Sequence, residues 1–231
     1  MIEYTKKILD AIFPPKCAGC NKIAESIICG DCMSQITRRA LWPCHKCRNP
    51  PYLCSCKGIR YIDELAFPYF YDGEKLKFAI SKLKKANLYY INEFFAKSMY
   101  NSVKTGDKIN LGEIDLITCV PRVRKSMNLY GYNQSENLAR LVSKYSGIKF
   151  ERTLNAKNKQ DQKSLSRSDR ALNVQGKFAA IKKASAKIKG RNIIIIDDVT
   201  TGGSTLSECA MVLKEAGSGK IYALCAASAL N

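Results

Sequence analysis

Past residue 60 the apolar positions recur in two rhythms. GEKLKFAISKLKKA (73–86) and INEFFAKSMYNSV (91–103) space their apolar residues three and four apart, which predicts two amphipathic helices. EIDLITCVP (113–121) predicts a buried strand. NQSENLARLVSKYSG (133–147) predicts a helix with Asn133 or Ser135 near its cap and Gly147 just past its end. The isoleucines from Ile193 to Ile196 fit a strand buried on both faces, as in a parallel sheet. STLSECAMVLKEAG (204–217) predicts a helix closing on Gly217, and KIYALCAAS (220–228) a last strand. Strands alternating with helices predict an α/β domain with a mostly parallel sheet. Cys119, Cys209 and Cys225 fall in apolar stretches and are expected to be inert core thiols.

The first 60 residues follow another pattern. Eight of the 11 cysteines lie here, as Cys17 and Cys20, Cys29 and Cys32, Cys44 and Cys47, Cys54 and Cys56. A pair of thiolates two residues apart can bite one tetrahedral zinc, and two such knuckles close its shell. Two four-cysteine structural sites are therefore expected, paired either sequentially or interleaved. So short a segment has little core of its own, so metal binding would supply its folding energy. This predicts a zinc-ribbon domain over 1–60 and a larger domain over 61–231. His45 is expected to be a bystander. Trp42 either covers a zinc site or, with Tyr52, offers a stacking face to a base.

Composition narrows the partners. The 231 residues are 46% hydrophobic, enough for a sizeable core, and carry a formal charge of +18, which favours polyanions. No apolar run reaches the roughly 18 residues of a membrane span. The opening MIEYTKKILDAIFPP carries Asp10 and no credible cleavage site, so no signal peptide and a cytoplasmic location are expected. The head holds ten Lys and Arg against four acids. Two zinc–thiolate sites of about −2 each would cancel most of that excess. Phe150 to Arg191 is different, with twelve Lys and Arg against three acids. Its NAKNKQDQKSLSRSDR stretch predicts a long mobile loop. Lys157, Lys159, Lys163, Arg167 and Arg170 are its nucleic-acid candidates, for a strand bound through its phosphates.

Chemistry concentrates in IIIIDDVTTGGST (193–205). Asp197 and Asp198 are placed at the carboxyl end of a buried strand, where open α/β sheets bind ligands. Thr201, Gly202, Gly203, Ser204 and Thr205 can turn backbone N–H groups around an anion at the start of the next helix. Carboxylates for hydroxyls and amides for a phosphate suit a sugar phosphate. Pro121, Arg122 and Arg124 follow another strand end and are expected to line the same cleft.

This stretch resembles the phosphoribosyl pyrophosphate (PRPP) signature of the type I phosphoribosyltransferases. The resemblance implies that Asp197 and Asp198 hold the ribose hydroxyls, that the loop cradles the 5-phosphate, and that magnesium accompanies PRPP. It places Pro121, Arg122 and Arg124 on the pyrophosphate side. Gly202 stands where the signature commonly has a threonine, so one hydroxyl donor is missing. With the cysteine head, nearly the whole chain resembles the ComF (ComFC) family of bacterial competence proteins. Gly131 to Gln134 (GYNQ), Gln162, Arg170, Asn173, Val174 and the GKF ending at Phe178 carry that likeness. The family's arginine before this GYNQ-like stretch is Tyr130 here. The fold implied is a type I phosphoribosyltransferase-like parallel sheet with helices on both faces, preceded by a small zinc-ribbon domain.

Two functional readings follow. The first is a protein of natural transformation that binds and handles incoming single-stranded DNA in the cytoplasm. Its implied partners are single-stranded DNA, PRPP, and a DNA-translocation helicase or inner-membrane channel, met at the inner face of the membrane without insertion. The second is an active transferase moving phosphoribose from PRPP to an amine or base, with the zinc ribbons structural. No acceptor pocket or general base is legible, so catalytic residues are not assigned, and the first reading is preferred.

Overall fold

The computed structural model describes residues 14–36, 38, 59–85, 88–105, 109–122, 131–157 and 176–229. Helices are α1 (Gly30–Ser34), α2 (Glu74–Lys85), α3 (Tyr89–Asn101), α4 (Gln134–Ser146), α5 (Ser185–Ile188) and α6 (Ser204–Glu215). Strands are β1 (Glu64–Ala66), β2 (Tyr69–Phe70), β3 (Leu116–Cys119), β4 (Leu154–Ala156), β5 (Phe178–Ala180), β6 (Ile193–Thr200) and β7 (Ile221–Ser228). The main sheet runs β1-β7-β6-β3 and every pairing in it is parallel. β2 continues along the same edge of β7 beyond β1. The parallel α/β sheet with helices on both faces is thus the observed fold class.

Why both faces are covered follows from the strand period of two. Ile193 and Ile195 pack into a cluster with Leu206, Cys209, Ala210 and Leu213 of α6. Ile194 and Ile196 pack on the opposite side with Leu138, Ala139 and Val142 of α4 and with Phe95 and Met99 of α3. All four isoleucines are fully buried, so truncating any one to alanine costs about 2–5 kcal/mol. Cys119, Cys209 and Cys225 are buried core thiols, as expected. Burial pushes Cys119 up to about 12 and the other two well above the ordinary thiol value.

The elements differ from the sequence expectation in instructive places. β6 does not stop before the acids. It runs on to Thr200 because β7 keeps pairing past them, Asp197 opposite Cys225 and Thr200 opposite Ser228. Asn133, not Ser135, caps α4, accepting the Ser135 N–H at 3.1 Å, and Gly147 closes that helix at φ 74°. Within Phe150 to Arg191, β4 and β5 pair antiparallel, with Ala156 opposite Phe178. Positions 157 and 177 are thereby brought side by side, Lys157 N–H donating to Lys177 O at 2.7 Å.

The cysteine head is not detached from the larger domain. Cys17, Ala18, Ile28, Cys32 and Ile36 lie in the same apolar cluster as Leu76, Ile80 and Leu83 of α2. Lys82 of α2 donates to Cys17 O at 3.2 Å and to Asn21 Oδ1 at 2.8 Å.

Candidate functional site

The end of β6 places two carboxylates in different surroundings. Asp197 is 9% exposed, between β7 and the start of α4. Its Oδ1 accepts the Ser135 hydroxyl at 2.9 Å and the Asp198 N–H at 2.9 Å. Burial and the neighbouring Asp198 charge push its carboxyl up to about 7, against the pull of those donors and of Lys84. Asp198 is less buried; its Oδ1 accepts the Val199 N–H at 2.6 Å and lies 3.5 Å from Lys84 Nζ. A protonatable acid thus stands beside one already facing a cation.

Beyond the acids, Thr201 and Gly202 are exposed, Gly203 is buried, Ser204 is exposed and Thr205 is half-buried. Gly203 is the cap residue of α6, at φ 73° and ψ −4°. Gly203 has no side chain to cap α6, so among the described residues no capping oxygen offsets the first-turn N–H groups and the positive end of the helix dipole. A left-handed conformation is strained for a side-chain residue, and the site is also close-packed. A Cβ on Gly203 would stand 2.7 Å from Ile59 Cγ1. Both facts require glycine here.

GYNQ acquires a physical meaning in this setting. Asn133 Nδ2 donates to Val120 O at 3.1 Å, tying α4 to the end of β3. Gln134 Nε2 donates to Lys84 O at 2.7 Å, and Arg122 Nη1 donates to Gln134 Oε1 and, at 2.9 Å, to Tyr132 O. The segment therefore clamps the ends of α2, β3 and α4 together around the acids. Lys84 and Ser135 were not recognised as site residues from the sequence. Each reaches its aspartate only through tertiary packing, and nothing in the local sequence points to that contact.

Of the pyrophosphate-side candidates, Pro121 and Arg122 leave β3 on this side of the sheet, whereas Arg124 lies outside the described residues. Of the nucleic-acid candidates, Lys157 is exposed at the end of β4; Lys159, Lys163, Arg167 and Arg170 lie outside the described residues. So do Tyr130, Gln162, Asn173 and Val174. Eight of the twelve basic residues between Phe150 and Arg191 are described. Arg152 pairs with Glu136, Lys187 with Glu151 and Arg191 with Asp115. Lys157 just past β4, Lys177 just before β5, and Lys182, Lys183 and Lys189 around α5 are exposed.

One buried acid links the basic strand pair to α6. Glu208, 4% exposed, accepts the Lys177 N–H on Oε1, while Oε2 has no hydrogen-bond partner among the described residues. Burial raises its pKa against the donors of Lys177, Phe178 and Gly176. The helix that begins at the glycine loop thereby holds Lys177, the residue just before β5.

In the head, the thiols of Cys17, Cys20, Cys29 and Cys32 all lie within 4.8 Å of one another. This cluster joins the first knuckle to the second, the sequential arrangement. Burial raises the Cys17 thiol, but the N–H groups of Cys29, Gly19 and Cys20 outweigh it and hold it at about 6. A Cβ on Gly19 would meet Cys32 Sγ at 3.0 Å, so the close approach of the knuckles needs glycine there. Four converging sulfurs, one favoured as thiolate, fit one structural zinc with no open position. Cys44, Cys47, Cys54 and Cys56 lie outside the described residues, as do Trp42, His45 and Tyr52.

No family model matches the chain. It is similar to competence protein F of Haemophilus influenzae, 26% identical over 87% of this chain and 85% of that protein. It is also similar to DNA utilization protein YhgH of Escherichia coli, 25% identical over 90% of this chain and 88% of that one. The chain is homologous to these competence and DNA-utilization proteins. Among solved structures, the allosteric regulatory enzyme of purine biosynthesis overlays 64% of the chain at TM-score 0.44 and 18% identity. Glutamine PRPP amidotransferase from B. subtilis, complexed with ADP and GMP, overlays 62% at TM-score 0.43 and 18% identity. The chain spans about 30% of the length of each enzyme.

Proposed function

We propose that this chain binds and handles single-stranded DNA in the cytoplasm during DNA uptake, and that its β6–α6 site binds PRPP with magnesium. The observation that carries the reading is the Glu208 tether: this carboxylate of α6 accepts the backbone N–H of Lys177, the exposed lysine just before β5, whose carbonyl in turn accepts the N–H of exposed Lys157 just past β4. Asp197 and Asp198 supply hard oxygens for the ribose hydroxyls and a magnesium ion. Thr201, Gly202, Gly203, Ser204 and Thr205 surround the 5-phosphate at the start of α6. Pro121, Arg122 and Arg124 stand on the pyrophosphate side. Backbone-directed DNA binding needs a spread of cations rather than a base-reading element, and Lys157, Lys159, Lys163, Arg167, Arg170 and Lys177 provide it. Names of the homologues, competence and DNA utilization, agree with this reading.

A second four-cysteine zinc site from Cys44, Cys47, Cys54 and Cys56 completes the head in this account. No helix among the described residues is long and apolar enough to cross a membrane. A peripheral position at the inner membrane face, beside a DNA-translocation helicase or channel protein, fits that finding. The alternative, an active transferase acting on an amine or base, is favoured by the intact acid pair and glycine turn. It lacks an identified general base.

Fluorescence anisotropy with a labelled oligothymidylate across a salt series tests the DNA reading. Affinity should fall steeply with salt and depend little on sequence. Neutralising Lys157, Lys159 and Lys163 together should reduce the magnitude of the log–log salt slope by up to about two, at roughly 0.7 per phosphate contact. An unchanged slope would place the DNA elsewhere.

A further inference from the structure

A cleft of about 820 Å³ lies between the cysteine head, β2, α3 and α4, on residues that take no part in the site above. Its size is within the range of small-molecule sites. The head supplies one wall with Ile27 and Met33, which flank Cys29 and Cys32, and Arg38, which pairs with Tyr69 of β2 as an antiparallel bridge. α3 supplies the other wall, with Glu93, Phe94 and Lys97.

The aromatic wall is fixed before any ligand arrives. Tyr69 is 6% exposed and its hydroxyl is 3.0 Å from Ser98 Oγ. Phe94 lies parallel to Tyr69, with centroids 6.2 Å apart and planes 8° apart, and meets Phe95 edge-on at 5.3 Å. A ring held from two sides loses little entropy on stacking against a ligand. Tyr145 of α4 closes the end of the cleft, donating to Glu93 Oε1 at 3.4 Å. Its burial, then the Glu93 charge, raise the phenol pKa, so it remains a donor at neutral pH.

The polar groups specify more than an apolar slot. Glu93 is an acceptor only, and one long bond from Tyr145 leaves it lone pairs for a ligand with adjacent N–H donors. Guanine offers such a pair on its Watson–Crick edge, whereas adenine sets a ring acceptor beside its amine. Lys97 and Arg38 give the cleft a positive rim, suited to a phosphate. We propose that this cleft binds a guanine nucleotide unit, the base against Phe94, its N–H edge on Glu93 and its phosphate between Lys97 and Arg38. The unit is either a free guanine nucleotide or a guanosine residue of single-stranded DNA. The proposal stands independently of PRPP binding.

Calorimetric titration of the full zinc-loaded chain with GMP and AMP is the test. GMP should bind saturably and at least about tenfold more tightly than AMP. The near-isosteric Glu93→Gln, which keeps the fold, should lower GMP affinity by about 5- to 100-fold, the scale of one bidentate base contact. Lys97→Ala should weaken GMP and AMP alike. In Asp197→Asn/Asp198→Asn the GMP affinity should be unchanged, which separates this cleft from the β6–α6 loop. Displacement of GMP by an oligothymidylate carrying one dG, but not by oligothymidylate alone, identifies a strand residue as the ligand. Failure of both to displace GMP identifies the free nucleotide. Equal affinities for GMP and AMP, indifference to Glu93→Gln, or loss of GMP binding in the double variant overturns the proposal.

Discussion

Gly203→Ala isolates the packing that shapes the glycine loop. The native φ of 73° costs a side-chain residue about 1–2 kcal/mol. The new Cβ would also meet three carbons of one neighbour, Ile59 Cγ1 at 2.7 Å, Cδ1 at 3.0 Å and Cγ2 at 3.3 Å. Since the branch itself is in the way, no single rotamer change clears all three. Overpacking of this kind costs about 1–3 kcal/mol. The variant should therefore lose about 2–5 kcal/mol in urea denaturation. Ile59→Ala removes every clashing atom and, for a half-buried side chain, should itself cost about 1–2 kcal/mol. In the double variant the steric part vanishes and the backbone part stays. The cycle should show a favourable coupling of about 1–3 kcal/mol. Additivity within about 0.5 kcal/mol would show that Ile59 does not press on this loop.

Other consequences can be checked separately. Asp197 has its folded pKa raised from about 3.9 to about 7, so the folded chain holds the extra proton in that window. Its contribution to stability is full below about pH 4 and is lost as pH rises through about 7. Asp197→Asn should therefore be more stable than the parent by about 1–3 kcal/mol at pH 8, with the difference shrinking toward pH 4; parallel pH profiles would contradict this. Metal analysis should give two zinc per chain, whereas one would exclude the Cys44–Cys56 set. Cys17→Ser/Cys20→Ser should lose one zinc and lower the melting temperature in a single transition, because Cys17 and Cys32 share a core with α2. A first transition confined to the head would contradict that shared core. Lys84→Met should lower the magnesium concentration needed for PRPP binding, since the ammonium lies 3.5 Å from Asp198 Oδ1 and would compete with a cation held by that carboxylate. An unchanged magnesium requirement would remove Lys84 from the site.

How legible this was in the sequence varied with length and locality. α4 and α6 were readable because twelve or thirteen residues carry a full helical period with a cap or turn residue, and the start of β6 because four isoleucines in a row mark a strand buried on both faces. β1, β2, β4 and β5 have two or three residues each, too few for any period to register. They exist because β7 offers a free edge and because β4 and β5 find one another across a long gap. The acids and the glycine loop were visible as a local run. Their partners were not: Ser135 reaches Asp197 across 62 residues, and Lys84 reaches Asp198 from a helix that reads only as amphipathic. Glu208 carries no local signal either: it meets the Lys177 N–H across 31 residues, through the packing of α6 against β5.

The reciprocal titration of PRPP and single-stranded DNA addresses the central claim most directly. Magnesium–PRPP should bind one site per chain, and Asp197→Asn/Asp198→Asn should abolish that binding. Saturating PRPP should change the affinity for an oligothymidylate, and the oligomer should change PRPP affinity by the same factor, as linkage demands. PRPP binding that survives in the double variant, or two affinities indifferent to each other within error, would contradict a shared site built on β6, α6 and the Glu208 tether.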